Sequence, residues 1–216
     1  MSLYFLSRDL YFPDTSEADE DGLLAVGGDL SADRLLLAYR KGIFPWYNDG
    51  QPILWWFPNP RFVLFPDELK VSKSMRSVYN KNTFHFSIDT AFEKVIRSCK
   101  KVSRKEQEGT WITDELEEAY IHLHKLGYAH SAETWKDGEL VGGLYGVLLG
   151  KIFFGESMFS KETNASKFAM INYVSALKQQ GVQLIDCQVH TQHLESLGAR
   201  MISKSVFSEI LQSLID

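Results

Sequence analysis

The sequence predicts an α+β fold built on a mixed sheet, and three observations carry that prediction. Helical stretches come first, an antiparallel meander of apolar, glycine-punctuated segments follows, and a helix then returns the chain to one further apolar strand. With 216 residues, 44% hydrophobic and 13% aromatic, the chain can fill one such core and carry a small appendage.

The first thirty residues are acidic and turn-rich. Ser31 then stands as the N-cap of a helix through LLLAYRK, with Gly42 as its stop. From Gly42 onward the composition changes. Trp46, Trp55 and Trp56 are interleaved with Pro45, Pro52, Pro58 and Pro60, and proline's fixed φ and missing N–H exclude a regular helix. This stretch reads as a rigid aromatic connector with a boundary near Pro58 to Pro60, so that a small domain of residues 1–59 precedes a larger one of residues 60–216. Two short basic helices follow, over 71–80 and 89–102, the second capped by Asp89. A third starts at Thr113, holds Asp114 and Glu115 in its first turn where the macrodipole favours acids, and stops at Gly127. Strands over 130–135, 138–149 and 151–159 are joined by turns at Lys136-Asp137-Gly138 and Gly150-Lys151. Asn164 opens a helix that ends at Gly181, 183–189 is a buried strand, and 205–215 is an amphipathic closing helix.

The N-terminus lacks the basic stretch and apolar run of a secretory leader, and no segment has the apolar length of a membrane span. Cys99 and Cys187 are too few for a disulfide framework and lack zinc spacing, which suits a reducing cytoplasm. The net charge is −5, yet the stretch from Lys70 to Lys105 carries ten basic residues against Asp89 and Glu93 alone, a local balance of +8. Such a tract either docks an anion or solvates helix faces, and the run by itself leaves both open.

Among candidate chemical groups, LIDCQV is the most informative. On a strand, Asp186 and Gln188 share one face while Ile185, Cys187 and Val189 share the other. A carboxylate and a carboxamide on an apolar strand are either a satisfied structural pair or functional. Cys187, on the opposite face, reads as a small core hydrophobe. Glu156, flanked by Phe153, Phe154, Met158 and Phe159, is either an edge-strand residue reaching water or part of a site. The six histidines have no carboxylate or cysteine set that completes a metal shell, so no metal is expected. Near residue 150, GVLLGKI falls one residue short of a phosphate loop, and Gly-x-Gly is absent from the sequence. No nucleotide or other cofactor is expected, and a group-transfer substrate would arrive already activated.

DGLLAVGGDLSADRLLLAYRKGIFPW, PILWWFPNPR, GTWIT, GYAHSAETW, ELVGGLYG, FFGESMFS, NASK and LIDCQ, in this order, closely resemble the bacterial leucyl/phenylalanyl-tRNA-protein transferases, from about Asp21 to Gly198. The resemblance implies a GNAT-like acyltransferase domain behind a small N-terminal domain. It implies transfer of Leu or Phe, sometimes Met, from aminoacyl-tRNA to proteins beginning with Lys or Arg, which marks them for N-end-rule degradation. It places the reaction on Asp186 and Gln188, with Glu156 holding the cationic N-terminal residue of the acceptor. It further implies an apolar aminoacyl pocket of Leu144, Phe153, Met158, Met170 and Ile185, although each taken alone reads better as ordinary core. Trp46 and Trp111 would stack on the terminal adenosine, and Lys73, Arg76 and Lys81 would hold the acceptor stem. The chain departs from the usual family pattern at Phe57, Asn59 and Ala132. A cytoplasmic monomer that needs no membrane is expected. The competing readings are an acyl-CoA-dependent N-acetyltransferase of the same fold, disfavoured by the missing pyrophosphate loop, and a tRNA-binding module without catalysis.

Overall fold

The computed structural model describes residues 3–102 and 111–215, and within them the apolar patterns resolve into two sheets. Strands β1 (Tyr4–Leu6), β2 (Leu23–Gly27), β3 (Phe44–Pro45) and β4 (Leu54–Trp56) form a small sheet ordered β1-β2-β4-β3. The large sheet contains β5 (Arg61–Leu64), β6 (His85–Ile88), β7 (Ala129–Lys136), β8 (Glu139–Leu149), β9 (Ile152–Ser160), β10 (Leu184–Gln188) and β11 (Arg200–Ile202). Its order is β11-β5-β10-β9-β8-β7-β6, with β9 and β10 parallel and every other pair antiparallel, so the sheet is mixed as the sequence predicts.

Helices α1 (Ala32–Arg40), α2 (Lys73–Lys81), α3 (Phe92–Lys100), α4 (Asp114–Lys125), α5 (Ala165–Gln179), α6 (Gln192–Glu195) and α7 (Lys204–Leu214) complete the described chain. One face of the large sheet packs Val95 and Cys99 of α3, Leu116 and Tyr120 of α4, and the aromatic side chains of the small sheet into a single cluster. The other face packs Phe168, Met170 and Val174 of α5 and Met75 of α2. The start of α5 reaches the sheet because β8 offers Gly142 there. A Cβ at that position would lie 2.6 Å from the Ala165 Cβ.

The meander β7-β8-β9 forms where its turn residues predict it. Asp137 and Gly138 both take positive φ in a two-residue hairpin loop. Two expectations need correction. The aromatic stretch after Gly42 is not only a connector, because it contributes β3, β4 and β5; its prolines end β3 or lie between strands, where no ladder donor is lost. Asp89 does not cap α3, whose N-cap is Ala91 without a side-chain bond. The chain leaves β6 at Ile88, so the Asp89 carboxylate instead accepts the Ser131 N–H at 2.7 Å and meets His130 Nδ1 at 2.7 Å.

The C-terminus of α1 lies between β2 and β3 of the small sheet and packs against α7. Gly42 (φ +71°) closes a Schellman motif in which its N–H donates to the Tyr39 carbonyl at 3.0 Å and the Ile43 N–H to that of Ala38 at 2.8 Å. Its free side packs under Phe207 of α7, where an added Cβ would come within 2.7 Å of the ring. Gly42→Ala combines a left-handed alanine with overpacking and is expected to cost about 2–4 kcal/mol, read as a lower denaturant midpoint at unchanged slope.

Candidate active site

Strands β9 and β10 run parallel only as far as the Asp186–Phe154 pair. Beyond it they separate, and each carries a bulge at the point of separation. In β9, Tyr145 faces Ser157 and Gly146 faces Gly155, so Glu156 is the extra residue. In β10, Asp186 faces Val63 and Gln188 faces Phe62, so Cys187 is the extra one. Bulges re-aim side chains, and here they open the sheet. A cavity of about 520 Å³ occupies the gap and is lined from both faces of the sheet.

Its wall on the α5 side is apolar, made by Leu144, Phe153, Met158, Met170 and Ile185. Strict alternation would put Phe153 and Met158 on opposite faces; the bulge between them sets both against this wall. Trp46 and Trp111 line the cavity from the other side, together with Phe44 and Phe159. Glu156 and Gln188 stand at the gap itself. The structure therefore brings together nine of the residues singled out in the sequence.

Asp186 is not among them. Its side chain is fully buried, with Oδ1 accepting from Arg61 Nε at 2.8 Å and Oδ2 from Arg61 Nη2 at 2.6 Å. The same Oδ1 accepts the Gln188 N–H at 2.9 Å, which holds Gln188 in a left-handed conformation (φ +64°). Arg61 also donates to the Gly42 carbonyl at 2.8 Å, and its guanidinium lies 4.9 Å from the Phe44 ring centre and 4.6 Å from that of Phe207. Asp186 thus contacts the cavity-lining Gln188 through its backbone alone.

Glu156 sits in a different environment. It is buried at 8% exposure, so it does not reach water from an edge strand. Tyr39 of α1 donates to Oε1 at 2.8 Å, Tyr120 of α4 to Oε2 at 2.9 Å, and Gln188 Nε2 to Oε1 at 2.9 Å. All of these donors are neutral. Burial pushes its carboxyl up to about 7, against the hydrogen bonds that favour the anion. The Cys187 thiol also lines the cavity, and burial first, then the nearby Asp186 charge, pushes it well up and away from thiolate chemistry.

Lys73, Arg76 and Lys81 are exposed on α2 and lie apart from the cavity lining. The rest of the basic tract is partly neutralised, since Arg97 pairs with Glu93 and Glu117, and Lys100 with Asp114 and Glu117. Arg104, Lys105, Gly109 and Thr110 lie outside the described residues.

The sequence reading missed Arg61, Tyr39, Tyr120 and His193. A lone cation opening the apolar run Phe62 to Phe65, and a tyrosine in the apolar stripe of α1, were the available signals for the first two. His193 lines the cavity, and its imidazole is held below the usual range by burial and by Lys167.

The family described as leucyl/phenylalanyl-tRNA protein transferase matches residues 63–212, and its N-terminal domain family matches residues 28–59. The leucyl/phenylalanyl-tRNA–protein transferase of Syntrophobacter fumaroxidans is 57% identical over 98% of this chain and 90% of its own. That of Flavobacterium johnsoniae is 56% identical over 98% of this chain and 100% of its own. Among solved structures, L-PGS from Bacillus licheniformis is similar with a TM-score of 0.46 and 14% identity, over 86% of this chain and 70% of that one.

Arg61 and Asp186 have no water to turn to if separated. Arg61→Met is expected to destabilise the fold by roughly 3–5 kcal/mol in equilibrium unfolding, because it strands a buried carboxylate. The Arg61→Met/Asp186→Leu double variant should recover part of that loss, and a strictly additive loss would show that the two groups are not coupled.

Proposed function

The chain belongs to the leucyl/phenylalanyl-tRNA–protein transferase family, and from that premise we propose how its cavity joins an aminoacyl ester to a protein N-terminus. The enzyme is an aminoacyltransferase. The donor is Leu-tRNA or Phe-tRNA, with Met-tRNA used at times, and the acceptor is a protein beginning with Lys or Arg. The protein works as a cytoplasmic monomer and marks its products for N-end-rule degradation. Residues 1–59 form a small domain that closes one side of the cavity, and residues 60–216 form the GNAT-like transferase domain.

One observation carries this reading: the cavity crosses the sheet, with an apolar wall at one end, indole rings at the other and a carboxyl–carboxamide pair between them. The Leu or Phe side chain fills the wall of Leu144, Phe153, Met158, Met170 and Ile185. Methionine and aromatic surfaces adapt to both shapes and exclude charge. The terminal adenosine stacks on Trp46 and Trp111, leaving the ester carbonyl at the gap. Lys73, Arg76 and Lys81 contact phosphates of the acceptor stem.

In the reaction, the acceptor's neutral amine attacks the ester carbonyl carbon. A C–N bond forms, the C–O bond to the ribose breaks, the ribose oxygen takes one amine proton, and the product is an amide. The ester brings its own free energy, so the protein's part is alignment and stabilisation of the tetrahedral intermediate. Gln188 commits one N–H to Glu156 and offers its Oε1 and second N–H to amine and carbonyl. Asp186 positions Gln188 by holding its backbone. Glu156 receives the cationic N-terminal residue of the acceptor.

The decisive assay is transfer of labelled Leu or Phe from tRNA to an Arg-initiated peptide, with wild-type protein and Asp186→Ala in parallel. Gln188→Ala is expected to lower kcat by roughly 10²–10³ with tRNA affinity unchanged, as for loss of one transition-state donor. Glu156→Gln should raise the acceptor KM most, and a loss confined to tRNA affinity would contradict its role. Binding of tRNA should weaken steeply with salt, and replacing Lys73, Arg76 and Lys81 by Ala should flatten that slope by about 0.7 to 0.9 per phosphate contact removed.

A further inference from the structure

Two phenol oxygens meet the Glu156 carboxyl and each other in three contacts, and their proton count gives a result the reaction does not require. Tyr39 Oη lies 2.8 Å from Glu156 Oε1, Tyr120 Oη lies 2.9 Å from Oε2, and the two phenol oxygens are 2.5 Å apart. Each oxygen–oxygen contact needs one proton between its lone pairs. Two phenols supply two protons for three contacts. Were Glu156 ionised, one contact would set lone pair against lone pair beside two fully buried phenols. A third proton, on the Glu156 carboxyl, closes the ring: in place of two phenols donating to a carboxylate, one phenol then accepts from the carboxyl and donates to the other, which donates back to the second carboxyl oxygen.

We propose that Glu156 is a neutral acid in the empty site and gives its proton to solvent when the cationic N-terminal residue of an acceptor docks, so that acceptor binding releases one proton. This rests on the placement of the acceptor at Glu156 argued above. The surroundings agree with it. Tyr39 comes from α1, Tyr120 from α4, Tyr145 from β8, and Asp186 and Gln188 from β10. None of these groups is a cation, and the neighbouring carboxylate, Asp186, already has Arg61 as partner and opposes a second negative charge. Burial holds the Glu156 carboxyl near 7, within reach of an arriving cation. Tyr39 and Tyr120 are fully buried, so Glu156 is the member of the ring that faces the cavity.

Binding that releases a proton strengthens as pH rises and weakens by up to roughly tenfold per pH unit below the carboxyl's own range. Discrimination between cationic and neutral N-termini is then sharper at pH 8 than at pH 5.

The test uses the full chain with an Arg-initiated peptide and no aminoacyl-tRNA, so that nothing is transferred. Calorimetry at pH 6 in two buffers of different ionisation enthalpy counts protons, and infrared difference spectra follow the carboxylic-acid carbonyl band. About one proton released per bound peptide, with loss of that band in wild type and neither signal in Glu156→Gln at saturating peptide, is expected. Glu156-dependent binding with no proton released and no band lost would overturn the neutral resting state and leave the acceptor site standing. Equal affinity of wild type and Glu156→Gln for the peptide would instead overturn the acceptor site, and the proposal with it.

Discussion

A buried ion pair, Arg61 with Asp186, fixes the strand geometry beside the cavity. The Arg61 and Asp186 side chains are 1% and 0% exposed, and taking each charge out of water costs several kcal/mol. Arg61 Nε and Nη2 and both Asp186 oxygens are hydrogen-bonded while Arg61 Nη1 is buried without a partner, and the bonded groups come from distant parts of the chain. The carboxylate is on β10, the guanidinium on β5, the extra carbonyl on Gly42 after α1, and an aromatic ring on α7. Losing any one of these would leave a charge poorly compensated in the interior. The pair therefore pins the small sheet to the large one at the residue where β9 and β10 part.

Two carboxylates on adjacent strands consequently have different characters. Asp186 faces a fixed cation and accepts from the Gln188 backbone. Glu156 faces hydroxyls and an amide, all neutral, and its proton is loosely held near neutral pH. Environments that drive like groups apart divide their roles. Exchanging the two surroundings would leave the cavity with a permanent anion at its centre and the strand end without its anchor.

Much of this was legible locally. Ser31 and Gly42 bracket α1 by capping chemistry that needs no tertiary context, and Asp137-Gly138 sets the β7-β8 hairpin in the same way. Strands β3 to β5 were harder, because strands of two to four residues among prolines have too little period to detect. The apolar wall was readable through kinship rather than periodicity, since the bulge at Glu156 changes which side chains share a face, and a bulge is a property of strand pairing. Tyr39 and Tyr120 lie 81 positions apart in sequence, so their convergence on one carboxylate belongs to the fold alone.

The bulge in β10 explains why the pair is buried behind the cavity and not within it. A left-handed Gln188 costs about 1–2 kcal/mol relative to an extended one, and glycine would avoid that strain but supply no carboxamide. The Asp186 Oδ1 bond to the Gln188 N–H offsets the strain and fixes the side chain's departure angle through the main chain. For a substrate that arrives as an ester, little is left for the protein to supply beyond position and oriented dipoles. An amide anchored by an interior ion pair meets that need, since it cannot relax without disturbing a guanidinium that also ties Gly42 to the large sheet.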